Sequence, residues 1–242
     1  MYTLGMTARW HPFWIFLLGI VVGFCLLRAG TLAYRSVNNP PEASPSEKRS
    51  DWTGGVGERI ALVALSELDG ARVALLGDSH FAIAPWQDLT GCSSMSNRGV
   101  AAGKASDLTE DAKRLLARPP SAVFVEVGIN DLLAGRAPHQ VVEDVSALAN
   151  IITDKSKVIV FSLFPVARGI GTADLNSKIR AVNVGLKRIY GLEFIDLTPK
   201  FVDENGFLME HLTTDGIHLR AAGYKIWRDA IATRMNEFCR RA

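Results

Sequence analysis

Arg72-Val73-Ala74-Leu75-Leu76-Gly77-Asp78-Ser79-His80 sets four consecutive apolar residues ahead of a Gly-Asp turn pair and a serine. A run that short, apolar throughout, reads as a strand buried on both faces. In an open α/β sheet the carboxyl end of a strand faces the crevice where ligands bind and where a helix begins. Ser79 is therefore expected in a crevice, among backbone N–H groups able to hold an anion. An Asp or Ser at such a point also caps helices, so Gly77-Asp78-Ser79 needs partners elsewhere before it means chemistry.

The rest of the chain supplies a framework for them. Cys92 to Ser96 is a weak second strand, followed by Asn97-Arg98-Gly99. Asp107 and Glu110 have the spacing of a capping box, opening a helix that Pro119-Pro120 stops. Ala122 to Val127 and Lys157 to Leu163 read as strands, and Glu193 to Leu197 as a fifth. Between them, helices are expected after Pro138, with Val141, Val145, Leu148 and Ile152 on one face, and after Asp174. A last helix carries Tyr224, Trp227, Ile231 and Phe238. Strands alternating with helices predict a five-stranded parallel sheet between two helical layers. Right-handed crossovers then bring the carboxyl ends of the strands to one edge. Four loops meet there, carrying Ser79, Gly99, Asn130 with Asp131, and Asp215 with His218.

The residue types in those loops suit acyl transfer. Serine becomes a nucleophile when a base takes its proton, and imidazole does this near neutral pH. Asp215, three residues before His218, is placed to hold the far ring nitrogen. A tetrahedral intermediate needs donors, for which the Ser79 and Gly99 backbone N–H groups and the Asn130 amide are candidates. Taken singly, Gly99 also fits a turn, Asn130, Asp131 and Asp215 fit helix caps, and His218 fits a surface histidine.

In four blocks the chain resembles the SGNH hydrolases, the GDSL-type lipase and esterase family: Gly77-Asp78-Ser79, Arg98-Gly99-Val100, Gly128-Ile129-Asn130-Asp131 and Asp215-Gly216-Ile217-His218. The run from His218 to Trp227 is similar to the family's closing helix. The resemblance implies a flavodoxin-like three-layer α/β/α sandwich, a triad of Ser79, His218 and Asp215, and an oxyanion hole of Ser79, Gly99 and Asn130. His80 departs from the aliphatic residue common in the family; it is expected to line the pocket or face solvent, without a catalytic role.

The remaining features concern setting. The 242 residues carry a formal charge of +2 with 21% charged residues, which leaves no nucleic-acid footprint. Phe13 to Leu27 is free of charge, and Ala29 to Tyr34 prolongs its apolar character to about 22 residues, enough to span a bilayer. Residues 1–35 are read as a membrane segment, retained as an anchor in preference to a cleaved signal. Residues 36–57, rich in Pro, Ser, Asn and Gly, form a tether of about 25 Å reach, and residues 58–242 form the globular domain. The basic residues Arg28, Arg35, Lys48 and Arg49 behind the segment point to a cytoplasmic domain by charge. The short leading tail before a signal-like core points outside, which is the orientation expected here. Cys92 and Cys239 should lie at the sheet edge opposite the site; they can pair in an oxidising compartment, though two buried thiols are the preferred expectation. Cys25, Cys92 and Cys239 share no metal-binding spacing.

The leading expectation is therefore a membrane-tethered serine esterase without metal or cofactor. Its substrate would be a small-molecule, lipid or glycan ester carrying a small acyl group such as acetyl; no large insertion provides a lid. The alternatives are a polysaccharide O-acyltransferase with the same residues, an inactive binding module, and a metal-dependent phosphoesterase using Asp78, His80, Asp131 and Asp215. Oligomeric state is not legible.

Overall fold

The computed structural model describes residues 59, 62, 63, 65 and 71–239. Residues 13–34, expected to span a membrane, and the tether at 36–57 lie outside the described residues. Among those described, no helix is long and apolar enough to cross a membrane. Residues 59, 62, 63 and 65 are helical, and Val63 is buried.

Five parallel strands form one sheet: β1 (Val73–Gly77), β2 (Met95–Gly99), β3 (Ala122–Glu126), β4 (Lys157–Phe161) and β5 (Phe194–Ile195). Their order, β2-β1-β3-β4-β5, is the flavodoxin-like order. Six helices matter for the site. They are α1 (Ser79–Ile83), α2 (Trp86–Thr90), α3 (Thr109–Leu115), α4 (Ile129–Leu133), α5 (Pro138–Asn150) and α6 (Leu175–Tyr190). A seventh, α7 (Ala221–Cys239), closes the chain.

Strand periodicity sends alternate residues to opposite faces, and this divides the core in two. Ala74, Leu76, Val123, Val125, Val158 and Val160 face α3, α5 and α6 in an aliphatic layer. Val73, Leu75, Phe124, Ile159 and Phe161 face α1, α2 and α7 in a layer dense in rings. There Trp227 packs against Phe81, Trp86, Phe161 and Phe164, with centroids 4.7–5.5 Å apart. Edge-to-face and stacked pairs at such distances add to the burial of these large side chains. The rings fix α1 against the end of β1, where the site lies.

Three local expectations need correction. β2 begins at Met95 and ends at Gly99, three residues later than expected. Its polar residues find partners off the strand. Arg98, 1% exposed, makes a two-pronged ion pair with Asp111 on α3 and donates to the Val63 carbonyl. The spacing of Asp107 and Glu110 does not start an α-helix. Asp107 closes a 3₁₀ turn over Ala105–Leu108 by accepting from the Lys104 N–H, and α3 starts only at Thr109. The fifth strand is two residues long, with Ser162 Oγ and the Ile195 carbonyl continuing its bonding by side-chain and backbone contacts.

Cys92 and Cys239 are joined by a disulfide with Cα atoms 5.5 Å apart. The preferred expectation of two thiols is thereby overturned. The opposite-edge placement was right, and the reach of a disulfide, about 4.4–6.8 Å between Cα atoms, is met.

Candidate active site

β1 ends at Gly77, and Asp78 turns the chain into α1. The Asp78 side chain accepts from the His80 N–H at 3.0 Å, so this aspartate is a helix cap. Ser79 occupies the first helical position, 5% exposed, where its own N–H has no partner within the helix.

Opposite it, residues 213–219 form a tight hairpin. Thr213 pairs with Leu219 across it, and the Thr213 hydroxyl donates to the His218 carbonyl at 2.8 Å. Gly216 sits at its tip with φ of 89°, in the left-handed region that glycine adopts without strain. A Cβ there would also collide with Ile170. The carboxylate of Asp215 caps the turn: one oxygen accepts from the backbone N–H groups of Ile217 (2.9 Å) and His218 (2.8 Å). The other oxygen takes the His218 ring at Nδ1, 2.7 Å away. The remaining ring nitrogen, Nε2, lies 3.0 Å from Ser79 Oγ. Serine, histidine and aspartate thus form one continuous chain of hydrogen bonds across 139 residues of sequence. Burial opposes ionisation of Asp215. The His218 ring and the two backbone donors nevertheless hold its carboxyl far below the usual carboxylate range.

Gly99 and Asn130 are brought to the same edge. The Gly99 N–H, however, donates to Asn97 Oδ1 at 3.0 Å and so is already engaged. What Gly99 contributes is room: a Cβ would fall inside the backbone of Phe81 and Ala82, so its absence lets β2 pack against α1. Asn130, in the first turn of α4, gives one amide hydrogen to the Gly103 carbonyl at 3.0 Å, leaving a second. Asp131 accepts from the Ala105 N–H and ties down that turn. Asp78 and His80 do meet, but Asp131 and Asp215 are committed elsewhere, so the four-residue metal constellation weighed from the sequence does not assemble.

The family model for GDSL-like lipase/acylhydrolase matches residues 53–226. The chain belongs to that family. Ester hydrolysis is accordingly its activity. Solved structures with the same fold include a GDSL-like lipase from Bacteroides thetaiotaomicron, at 21% identity and a TM-score of 0.61. It aligns over 77% of this chain and 97% of its own. A member of the lipolytic G-D-S-L family from Veillonella parvula (18%, TM-score 0.58) aligns over 68% and 97%. A carbohydrate esterase of family 3 from Talaromyces cellulolyticus (18%, TM-score 0.55) aligns over 68% and 96%. No curated protein matches the chain.

His80 is the residue that sequence reasoning placed wrongly. It neither lines an open pocket nor faces solvent: it is 1% exposed, between Asp78 and Glu126 and beneath the Ile217 carbonyl. Burial by itself would strip its proton. The charge of Glu126, the Asp78 side chain and the Ile217 carbonyl outweigh that and push its pKa up to about 9. Burial, with the Asp78 charge next, drives Glu126 well above the usual carboxylate range. Glu126 was the available signal, an acidic residue between Val125 and Val127 in a strand otherwise free of polar groups.

Proposed function

We propose that this family member is a serine esterase working through an acyl-enzyme, with Ser79 as nucleophile, His218 as base and then acid, and Asp215 as the orienting carboxylate. The observation that carries it is the pair of contacts on His218, 3.0 Å to Ser79 Oγ and 2.7 Å to Asp215 Oδ2. In this scheme Nε2 takes the hydroxyl proton as Oγ bonds to the ester carbonyl carbon. The carbonyl oxygen becomes an oxyanion, met by the Ser79 N–H and the second amide hydrogen of Asn130. Collapse breaks the bond to the alcohol oxygen, which leaves with the proton from Nε2. Water then repeats the sequence on the acyl-Ser79 ester and frees the acid. Asp215, held ionised, keeps Nδ1 as a donor throughout.

The acyl group is small in this reading, acetyl on an envelope glycan being the leading example. The absence of a large insertion between the motif blocks supports it, as does a carbohydrate esterase among the proteins sharing the fold. The domain lies outside the cytoplasm, anchored by residues 13–34. The Cys92–Cys239 bond supports that location, since such bonds persist in oxidising compartments.

The test is an ester panel, p-nitrophenyl acetate to palmitate beside acetylated glycans, run with wild type and Ser79→Ala. Turnover strongest on short acyl chains and covalent capture of Ser79 by a phosphonate are the expected results. A folded Ser79→Ala protein that hydrolyses the best ester at near wild-type rate would end the reading. Export is checked separately with a reporter fused after Ala242 that is active only outside the cytoplasm; a silent reporter rejects it.

A further inference from the structure

The buried trio of Asp78, His80 and Glu126 lies directly behind the nucleophile and takes no part in the steps above. We propose that His80 is a positioning residue, which holds the hairpin bearing Asp215 and His218 against the turn bearing Ser79. The inference rests on the serine-esterase reading.

His80 joins segments that the chain keeps far apart. Its backbone N–H is fixed to Asp78, one residue on the other side of Ser79. Its ring Nε2 lies 3.1 Å from the carbonyl of Ile217, the residue preceding His218 and 137 positions away. A carbonyl only accepts, so Nε2 carries the hydrogen. Its own carbonyl accepts from the Tyr224 hydroxyl of α7 at 3.0 Å. Every tether ends within a residue or two of a group in the triad or on the helix that follows it. The ring is clamped in turn: Phe164 packs on it at 5.0 Å, and Nδ1 faces Asp78 at 3.3 Å and Glu126 at 3.6 Å.

The chemistry explains a histidine at this place. Two donors on opposite sides of one rigid ring are needed, one for a carbonyl and one for carboxylates. An imidazolium supplies both without a side-chain rotation to spare. The titratable groups around it are Asp78 after β1, Glu126 on β3, Asp215 and His218 on the hairpin, and Tyr224 on α7. Glu126 and Asp78 retain buried oxygens with no hydrogen-bond partner in the protein, so the His80 ring is the group that faces them. An ångström of error in the Ser79–His218 contact is enough to cost about 100-fold in rate. Other ties hold the hairpin too, among them the Ala167 N–H to the Gly216 carbonyl at 2.8 Å, so removing His80 loosens the contact without dismantling it.

The same three side chains lie close enough to hold a cation, which the experiment separates from positioning. Full-length wild type, His80→Leu, His80→Gln and Ser79→Ala are compared on the best short-chain ester. His80→Leu should lower kcat about 10- to 100-fold, leave KM within about threefold, and slow phosphonate capture of Ser79 by the same factor as kcat. His80→Gln keeps an amide donor for the Ile217 carbonyl and should recover most of the loss. A folded His80→Leu protein with wild-type kcat, a loss confined to KM, or no rescue by glutamine overturns the proposal. So does a stoichiometric divalent metal in the wild type that His80→Gln releases. Should the leucine variant not fold, ¹⁵N-imidazole spectra of the wild type decide: a protonated, slowly exchanging His80 Nε2 is expected, and a bare one rejects the idea. Residual turnover by Ser79→Ala would instead sink the esterase reading itself, whatever the His80 variants do.

Discussion

Two histidines stand with ring centroids 5.9 Å apart, each set between a carboxylate and a partner from a distant segment. His218 has a side chain 29% exposed, and its Nε2 meets a hydroxyl that can give up a proton. His80 is enclosed, and its Nε2 meets a carbonyl that cannot. The chemical group is the same, and the partner at one nitrogen decides what it is for. A histidine facing a hydroxyl at a wet edge can cycle between two protonation states. One facing a carbonyl in a buried pocket keeps its proton through neutral pH, where its value is geometric.

Four experiments break or sharpen this contrast. The largest effect is expected from His218→Ala, which should reduce kcat by about 10⁴- to 10⁶-fold while leaving thermal unfolding nearly unchanged. A comparable loss of stability would show that the exposed histidine is structural after all. Asn130→Ala removes a donor from the place where charge develops, and should cost about 10²–10³ in kcat, with KM little moved. An effect confined to KM would remove Asn130 from the transition state. Gly99→Ala should act on stability through the clash with Ala82, by about 1–3 kcal/mol in a denaturant titration; a neutral result would mean that β2 and α1 can part at no cost.

The smallest effect separates the two clusters by pH. The folded pKa of His80 is raised to about 9 from 6.5, so its contribution to stability is complete below 6.5 and is lost as pH climbs through 9. The slope is at most about 1.4 kcal/mol per pH unit. Asp215 is shifted downward, so its contribution is present above the ordinary aspartate range and is lost only in acid. Unfolding midpoints should therefore fall on the alkaline side in wild type and flatten there in His80→Gln, with the acid limb unchanged. An alkaline limb of equal slope in both proteins would show that another group titrates.

Local chemistry made much of this molecule readable before any coordinates. An apolar run ending in Gly77-Asp78-Ser79 is a complete signal, because strand, turn and helix start all lie within seven residues. Asp215 and His218 are likewise neighbours on one hairpin. What escaped depends on distant partners. Ser96, Asn97 and Arg98 look too polar for a strand until Asp111, the Val63 carbonyl and the Phe81 carbonyl are in place to receive them. Gly99 looked like a donor because nothing in the sequence says that Asn97, two residues earlier on the same strand, folds its side chain over the Gly99 N–H. His80 looked incidental since its meaning lies with Glu126 and Ile217. The cysteine pair was placed at the correct edge, and only distance could turn proximity into a bond. The membrane segment and tether lie outside the described residues.

The Cys92–Cys239 bond, 147 residues apart in sequence, also divides the covalent molecule into a ring and an arm. Gly99, Asn130, Asp215 and His218 lie on the ring, while Ser79 lies on the arm that leads back to the amino terminus. A single proteolytic cut inside the ring leaves one connected molecule that migrates undivided until it is reduced. A cut between Ser79 and Cys92, with twelve residues between them that hold α2, parts Ser79 covalently from Asp215 and His218 without reductant. The only covalent path between the serine and its histidine runs through that short isthmus.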